Sequence, residues 1–342
     1  MKIAAICFTK QGKGILTRLE EMLYDSEFVG YTSDLAKANY GTLSECVKYW
    51  FKTNDALIFV GAAGIAVRLI APYLLDKLTD PAVIVIDEKG KNVIPILSGH
   101  VGGGNRLARE IATGLDANPV ITTATDINGF FAVDEWAVRN DLQIMNKEGI
   151  AAVSSRLLDG EPLTVAHDGS VEIDRDSMPY YIVPAAPDVD KVDIYIGAAK
   201  WNCRLWLRPI DIMLGTGCKK DKDVTEYEQT MRLILEANNI SIDQVKYVGS
   251  IDLKRDEPCI YEFCDKYSKD FYTFTADELN EVPGVFEESE FVRSVTGTGN
   301  ICERAAARLC KDSAEKLRGK MSVDGVTAAI YRKRKKLSFK NE

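Results

Sequence analysis

Over its first 140 residues the chain alternates short apolar runs with stretches of helical spacing. "KIAAICF" (2–8) is an apolar run closed by Thr9 and two glycines, and "ILTRLEEMLY" (15–24) places apolar residues three and four apart. "DALIFVGAAGIAVRLIAPYLL" (55–75) repeats that grammar of buried strand, glycine turn and helix. "AVIVIDEKGKNVIPILS" (82–98) is two apolar runs around Glu88-Lys89-Gly90-Lys91, a hairpin signal. "ILSGHVGGGNRLAREIA" (96–112) then reads as a strand end, a glycine loop and a helix, and "PVITTATD" (119–126) as another strand end. Strands alternating with helices predict a layered α/β domain over residues 1–139.

From 140 to 208 the pattern weakens. Pro162, Pro179, Pro184 and Pro187 crowd into this stretch, and "HDGSVEIDRDSMPYYIVPAAPDVDKVD" (167–193) reads as hairpins and loops with solvated charge runs. We take 140–208 as a smaller, less regular middle domain or connector. A second α/β block, 209–342, opens at "IDIMLGTGC" and continues through "DVTEYEQTMRLILEANN" (helix), "VKYVGSID" (strand), "EPCIYEFCDKYS" (helix) and "FYTFTADEL" (strand, then helix start). "SVTGTGNICERAAARLCK" reads as loop and helix, "GVTAAIYRK" as a strand, and "RKRKKLSFKNE" as a frayed, solvated basic end. The fold class is therefore α/β: two α/β domains joined by the middle segment. "GGGNRLAREIA" and "GTGNICERAAA" both set Gly-Asn before a helix with small residues on one face, which predicts an Asn cap in each block.

Composition narrows the function. With 46% hydrophobic and 27% charged residues among 342, the chain is ordinary for a globular protein. A net charge of −8 argues against nucleic acid or an anionic membrane as the partner, though not against a small anionic ligand. No apolar run nears the ~20 residues that span a bilayer, and the start reads as a strand rather than a leader. None of the eight cysteines forms a C-x-x-C pair, and two histidines leave little for zinc. Reduced thiols in the cytoplasm and no protein-bound metal are the expectation.

The glycine loop carries the clearest chemistry. Gly99, Gly102, Gly103 and Gly104 leave a ligand to be met by backbone, and the start of the following helix suits a phosphate or carboxylate. The spacing is neither G-x-x-x-x-G-K-[ST] nor a placed G-x-G-x-x-G. His100 lies inside the loop beside Ser98, Asn105 and Arg106, where it can serve as acid, base or hydrogen-bond donor, or simply cap the loop. Gly61, Gly64 and Arg68 form a second glycine turn. Thr122, Thr123, Thr125 and Asp126 end another strand. In the second block Gly215, Gly217, Lys254, Gly297, Gly299 and Asn300 occupy the corresponding loops, so a ligand between the blocks is expected. The catalytic candidates are His100, Ser98 and Asp126; the other residues are candidates for binding. Cys218, next to Lys219 and Lys220, would be acidified if exposed, but a buried structural cysteine is the commoner case. There is no G-x-S-x-G elbow.

"FVGAAGIAVRLIAPYLLDKLTDPAVIVIDEKGKNVIPILSGHVGGGNRLAREIA", with "PVITTATD" and "FAVDEWA", closely resembles the cobalt-precorrin-5A hydrolases of anaerobic cobalamin synthesis. "LGTGCKK", "SIDLKRDEP", "FYTFTADEL" and "SVTGTGNICERAAARL" extend the likeness over nearly the whole chain except 140–208. The C-terminal part is also similar to a small stand-alone protein of the aerobic pathway. The resemblance implies opening of the δ-lactone of cobalt-precorrin-5A, a polycarboxylate tetrapyrrole, with loss of C20 and its methyl group as acetaldehyde to give cobalt-precorrin-5B. It implies no cofactor, since cobalt belongs to the substrate. It is compatible with a homodimer and with transient handover between neighbouring pathway enzymes. On this reading the glycine loop holds a peripheral carboxylate or acts as an oxyanion hole for the lactone carbonyl. A non-catalytic corrinoid carrier and a nucleotide-dependent enzyme are the rival readings.

Overall fold

The computed structural model describes residues 1–76, 79–100, 102–127, 129–130, 132–186 and 189–340. They form two compact units, Met1–Val138 with Leu157–Gly160, and Arg139–Arg156 with Glu161–Glu342.

The first unit is a three-layer α/β sandwich. Its strands are β1 (Lys2–Cys7), β2 (Glu27–Thr32), β3 (Ala56–Val60), β4 (Ala82–Ile86), β5 (Asn92–Leu97) and β6 (Asn118–Pro119), in the order β2-β1-β3-β4-β5-β6. Every residue of β3 and β4 is buried, as expected of parallel strands covered on both faces. α1 (Lys10–Met22) and the later α5 (Gly104–Leu115) cover one face, where Leu19 and Ile111 meet Ile3, Ile58 and Ile84. α2 (Ser33–Tyr40), α3 (Leu43–Thr53) and α4 (Ala63–Ile70) cover the other, where Trp50 and Ile70 meet Ile6, Phe59 and Val85. The short α6 (Ala124–Ile127) and α7 (Val133–Arg139) follow β6.

One reversal in this sheet decides where the site lies. β4 and β5 form the expected hairpin, with the Asp87 carboxylate accepting from the amides of Lys89, Lys91 and Asn92 in its turn. β5 therefore runs against β1, β3 and β4. Leu97 ends opposite Val83, at the edge where β4 begins. Val60 pairs with Ile86, so the Gly61 turn lies at the other edge, about 16 Å away along a five-residue strand.

The second unit contains two larger sheets. The segment with weak sequence grammar holds β7 (Leu142–Ile144), α8 (Glu148–Leu158), β8 (Leu163–His167), β9 (Val171–Ile173), β10 (Ile182–Pro184), β11 (Val192–Ile196) and β12 (Cys203–Pro209). Five of its strands form a sheet in the order β10-β8-β11-β12-β7. Strands of three to seven residues, broken by proline, give little periodicity to read. The remaining sheet orders β13 (Ile212–Cys218), β14 (Val245–Ile251), β15 (Asp270–Phe274), β16 (Ala314–Val323) and β17 (Val326–Lys333) as β15-β14-β13-β17-β16. α9 (Val224–Ala237) and α10 (Pro258–Lys266) pack on one face through Met231, Ile260 and Phe263. α11 (Ala276–Asn280), α12 (Glu290–Thr296) and α13 (Cys302–Cys310) follow, with Ala306 and Cys310 of α13 against Met213 and Ala329 on the opposite face.

The C-terminal tail corrects the expectation of a frayed end. β18 (Lys335–Leu337) pairs in parallel with β9. Leu337 and Phe339 are buried, and the Phe339 amide donates to Ser177 Oγ at 2.9 Å. Lys335 Nζ reaches Asp141 Oδ2 at 2.6 Å and the Ile210 carbonyl at 3.2 Å. Basic composition hid two apolar side chains spaced to enter a core.

Candidate functional site

The glycine loop turns at the carboxyl edge of β5 and β6. Gly103, at φ +72°, caps α5 without any side-chain hydrogen bond. The Gly103 amide donates to His100 O at 2.8 Å, Gly104 to Ser98 O at 3.1 Å and Asn105 to Gly99 O at 2.8 Å. The loop thus satisfies three donors at the helix start with its own carbonyls. These are amides that the sequence reading offered to a carboxylate or an oxyanion. Glycine is required at position 99 by close approach, since a Cβ there would sit 2.6 Å from Asn105 Oδ1.

What the loop presents instead is a compact charge cluster. His100 Nε2 lies 2.9 Å from Asp126 Oδ2, and His100 Nδ1 lies 3.4 Å from Asp134 Oδ1. Asn105 Nδ2 donates to Asp126 Oδ2 at 2.8 Å and to Thr123 Oγ1 at 3.1 Å. Arg109 Nη2 donates to Asp126 Oδ1 at 2.6 Å. Burial works against the imidazolium, but hydrogen bonds and charge from Asp134 and Asp126 outweigh it and raise the His100 pKa from 6.5 to about 9. Burial also opposes ionisation of both aspartates. Arg109 and His100 hold Asp126 below the usual carboxylate range, and His100 does the same for Asp134. The cluster is therefore two cations and two anions, with a proton stored on His100 at neutral pH. His100 is placed to donate a proton rather than to take one from water.

Ser98 adds a strained hydroxyl. Its φ is +51°, unusual for a residue with a Cβ, and its Oγ is buried with no hydrogen-bond partner among the described residues.

The structure sorts the other candidates. Asn105 is buried, yet it lies inside α5 and binds Asp126, where a helix cap was expected; the cap is Gly103. Arg106 is exposed; Arg109, one turn beyond Asn105, is the arginine that joins the cluster. Thr123 belongs to the cluster, Thr122 is exposed, and the Thr125 side chain lies outside the described residues. Gly61, Gly64 and the exposed Arg68 lie at the opposite sheet edge and do not join it. Sequence reasoning missed Arg109 and Asp134. The spacing of four between Asn105 and Arg109 was the available signal for the first; Asp134, in "FAVDEWA", had none beyond its charge.

The second unit holds a cavity of about 790 Å³ at the carboxyl edge of β13 and β14. Lys219, Lys220, Lys254 and Lys320 line it together with the acidic Asp221, Asp252, Asp256 and Glu257 and the apolar Leu253, Phe291 and Val295. Gly217, Gly299 and Asn300 also lie on its wall. Gly215 and Gly297 are not in that wall. Gly215 lets α13 approach β13, since a Cβ there would come within 1.7 Å of the Cys302 carbonyl oxygen. Gly297 caps α12 at φ +81°. The cap of α13 is Ile301, not the expected Asn300; Asn300, one residue earlier, still meets the first turn, its Oδ1 accepting from the Glu303 amide at 3.0 Å and its Nδ2 donating to Glu303 Oε1 at 2.9 Å. Lys254 Nζ meets Glu257 Oε2 at 2.5 Å. Cys218, Glu257 and Cys259 bring their ligand atoms within 4.8 Å of one another, the one grouping among the described residues that could hold a metal ion.

These features define an α/β protein with a proton-storing centre in one unit and a lysine-lined cavity in the other. Residues 45–126 match the family model described as Cobalamin synthesis G N-terminal, and residues 212–331 match Cobalamin synthesis G C-terminus. The cobalt-precorrin-5A hydrolase of Salmonella typhimurium is 34% identical, over 89% of this chain and 90% of that one. The cobalt-precorrin-5A hydrolase of Priestia megaterium is 31% identical, over 89% and 87%. A crystal structure of a cobalamin biosynthesis protein G homolog from Sulfolobus solfataricus is 22% identical and covers 97% of both chains, with a TM-score of 0.40. The chain belongs to the cobalt-precorrin-5A hydrolase family of cobalamin biosynthesis. It is a hydrolase of that pathway. No helix among the described residues is long and apolar enough to cross a membrane.

Proposed function

We propose that this protein opens the δ-lactone of cobalt-precorrin-5A with water and releases acetaldehyde, leaving cobalt-precorrin-5B. The observation that carries the reading is the His100 imidazolium held between Asp126 and Asp134. Lactone opening expels an alkoxide, which needs a proton as the C–O bond breaks. His100 supplies it. Asp126, fixed by Arg109 and Asn105, keeps the imidazole oriented and charged. The resulting C20 hydroxyl then loses its proton, the bond from C20 to the macrocycle breaks, and the electron pair passes into the conjugated ring as acetaldehyde leaves.

The substrate class rests on the second unit. A flat macrocycle fringed with carboxylates needs apolar wall and scattered cations; the cavity offers Leu253 and Phe291 for the first and Lys219, Lys220 and Lys320 for the second, set among the carboxylates Asp221, Asp252 and Asp256 and the Lys254–Glu257 pair. Cobalt arrives in the substrate, and the reaction runs in the cytoplasm without a metal or nucleotide of the protein's own.

The test is anaerobic incubation of the purified protein with cobalt-precorrin-5A. Acetaldehyde should appear in proportion to lactone lost, and the His100→Ala variant should release far less. Binding of the corrinoid without acetaldehyde would make the protein a carrier. Turnover that begins only on addition of ATP or NAD would make it a nucleotide-dependent enzyme.

A further inference from the structure

Cys218 and Cys259 bring their Sγ atoms to 3.6 Å, although 41 residues separate them in sequence. Cys218 ends β13 and lies half-buried in the wall of the lysine-lined cavity. Cys259 is fully buried in the first turn of α10. The arrangement is asymmetric: one thiol meets the cavity, and its partner waits behind it. We propose that Cys218 is a thiol-exchange site, whose thiolate attacks a low-molecular-weight disulfide entering from the cavity and whose mixed disulfide is resolved by Cys259 into an internal disulfide.

The surroundings favour this chemistry over metal binding. A metal at Cys218, Cys259 and Glu257 would need the Glu257 carboxylate. Both its oxygens are engaged, Oε1 by the Asp221 amide at 2.9 Å and Oε2 by Lys254 at 2.5 Å. Displacing Lys254 would leave its ammonium mostly buried beside the incoming cation. The thiols are free of that competition. The hydrogen bond from Cys259 lowers the Cys218 pKa against the effect of burial, and Lys254 lowers it further; the Cys259 thiol is pushed up. Cys218 is thus the thiolate that attacks, and Cys259 holds the proton. Bond formation requires the sulfurs to close from 3.6 Å to ~2.05 Å.

The exchange balances with glutathione disulfide as oxidant. The Cys218 thiolate attacks one glutathione sulfur and expels glutathione thiolate. The Cys259 thiol then loses its proton and attacks Cys218 Sγ, expelling the second glutathione as a thiol once protonated. The protein loses two hydrogens and the disulfide gains them. This inference does not depend on the substrate proposed above, because only the cavity's access to Cys218 is used.

The experiment treats the full-length reduced protein with glutathione disulfide at neutral pH, blocks remaining thiols, and maps peptides by mass. The expected result is a peptide pair linked through Cys218 and Cys259, reversed by dithiothreitol. In Cys259→Ser, Cys218 should keep a stable glutathionyl group. In untreated protein, Cys218 should alkylate at pH 7 about tenfold faster than the half-buried Cys203, whose thiol burial pushes up. Should Cys259→Ser not fold, the mapping and alkylation rates of the wild-type chain decide alone. No linked pair in the native protein while one forms in urea, or a Cys218 that alkylates no faster than Cys203, overturns the proposal.

Discussion

His100 and Asp126 are joined through Nε2 and Oδ2 at 2.9 Å, while Asp134 stands at the other ring nitrogen at 3.4 Å. Both ring nitrogens face a carboxylate, so both carry hydrogen. The pair fixes charge as well as orientation, and its effect on folding has a defined pH window. The folded His100 pKa, about 9, lies above the ordinary 6.5. Its stabilising contribution is therefore fully present below pH ~6.5 and is lost as pH rises through about 9, amounting to at most ~3 kcal/mol. The urea midpoint of the wild type should fall between pH 7 and 10. His100→Gln should start lower and change less over that range. His167, exposed at the end of β8, is the control, and His167→Ala should follow the wild type. Parallel wild-type and His100→Gln curves would remove His100 from the linkage.

The same relationship separates proton donation from mere positioning. With His100 as donor, kcat should fall as pH rises past its pKa in the substrate complex. Asp134→Asn removes one of the carboxylates that raise that pKa. The alkaline fall in kcat should then move to lower pH, while turnover at pH 6 stays within about tenfold of wild type. His100→Ala should lose ~10²–10⁴-fold in kcat below that pKa, with the gap to wild type narrowing above it. It should also melt earlier, because Asp126 and Asp134 lose a buried partner. A pH profile unmoved in Asp134→Asn would assign the proton to another group.

Ser98 offers a cleaner separation of stability from activity. At φ +51° its Cβ is strained, and its buried Oγ gains no hydrogen bond among the described residues. Ser98→Gly should leave the melting temperature unchanged or raise it, by up to ~1 kcal/mol in stability. If the hydroxyl meets substrate, kcat/KM should fall tenfold or more. Unchanged turnover would leave Ser98 without a part in the reaction.

In the second unit, Lys320 and Lys254 test different properties of one cavity wall. Lys320→Gln removes a cation that would face a substrate carboxylate, so KM should rise several-fold with little change in kcat or melting temperature. Lys254→Met strands the buried Glu257, and should destabilise the fold by about 3–5 kcal/mol. Equal KM values for wild type and Lys320→Gln at low salt would exclude Lys320 from binding.

How much of this was legible depends on the length scale of each feature. Local patterns were readable: the hairpin between β4 and β5 and the strand–turn–helix grammar follow from residues within a few positions of one another. The site edge was not. Gly61 and Gly99 both follow strands and look equivalent in sequence, yet the hairpin that was read correctly reverses β5 and puts them at opposite ends of the sheet. Arg109 was overlooked for Arg106 because chain proximity was weighed above the helical period that aligns Asn105 with Arg109. Asp134, and the meeting of Cys218 with Cys259, depend on contacts over 34 and 41 residues. No spacing rule reports such contacts.

That dependence also decides where the chain can be divided. The sequence suggested a cut near Arg208, but residues on both sides of it share one compact unit. β18 pairs with β9, Lys335 bonds Asp141 at 2.6 Å, and Lys246 is also bonded to Asp141. A 209–342 fragment would lose β9 and strip both lysines of their partner. The Lys335 ammonium, largely buried, would lie beside uncovered Leu337 and Phe339. Residues 139–342 keep all of these contacts. This longer fragment should be monomerically soluble with a single cooperative melt, whereas 209–342 should melt at least several degrees lower or aggregate. Asp141→Asn in the longer fragment should cost only about 1 kcal/mol, because the carboxylate is 37% exposed and its ion pairs are screened by solvent. The larger loss on truncation would then be assigned to β9 and the apolar contacts of the tail. Equal melting temperatures for the two fragments would show that the C-terminal sheet folds without the segment before it.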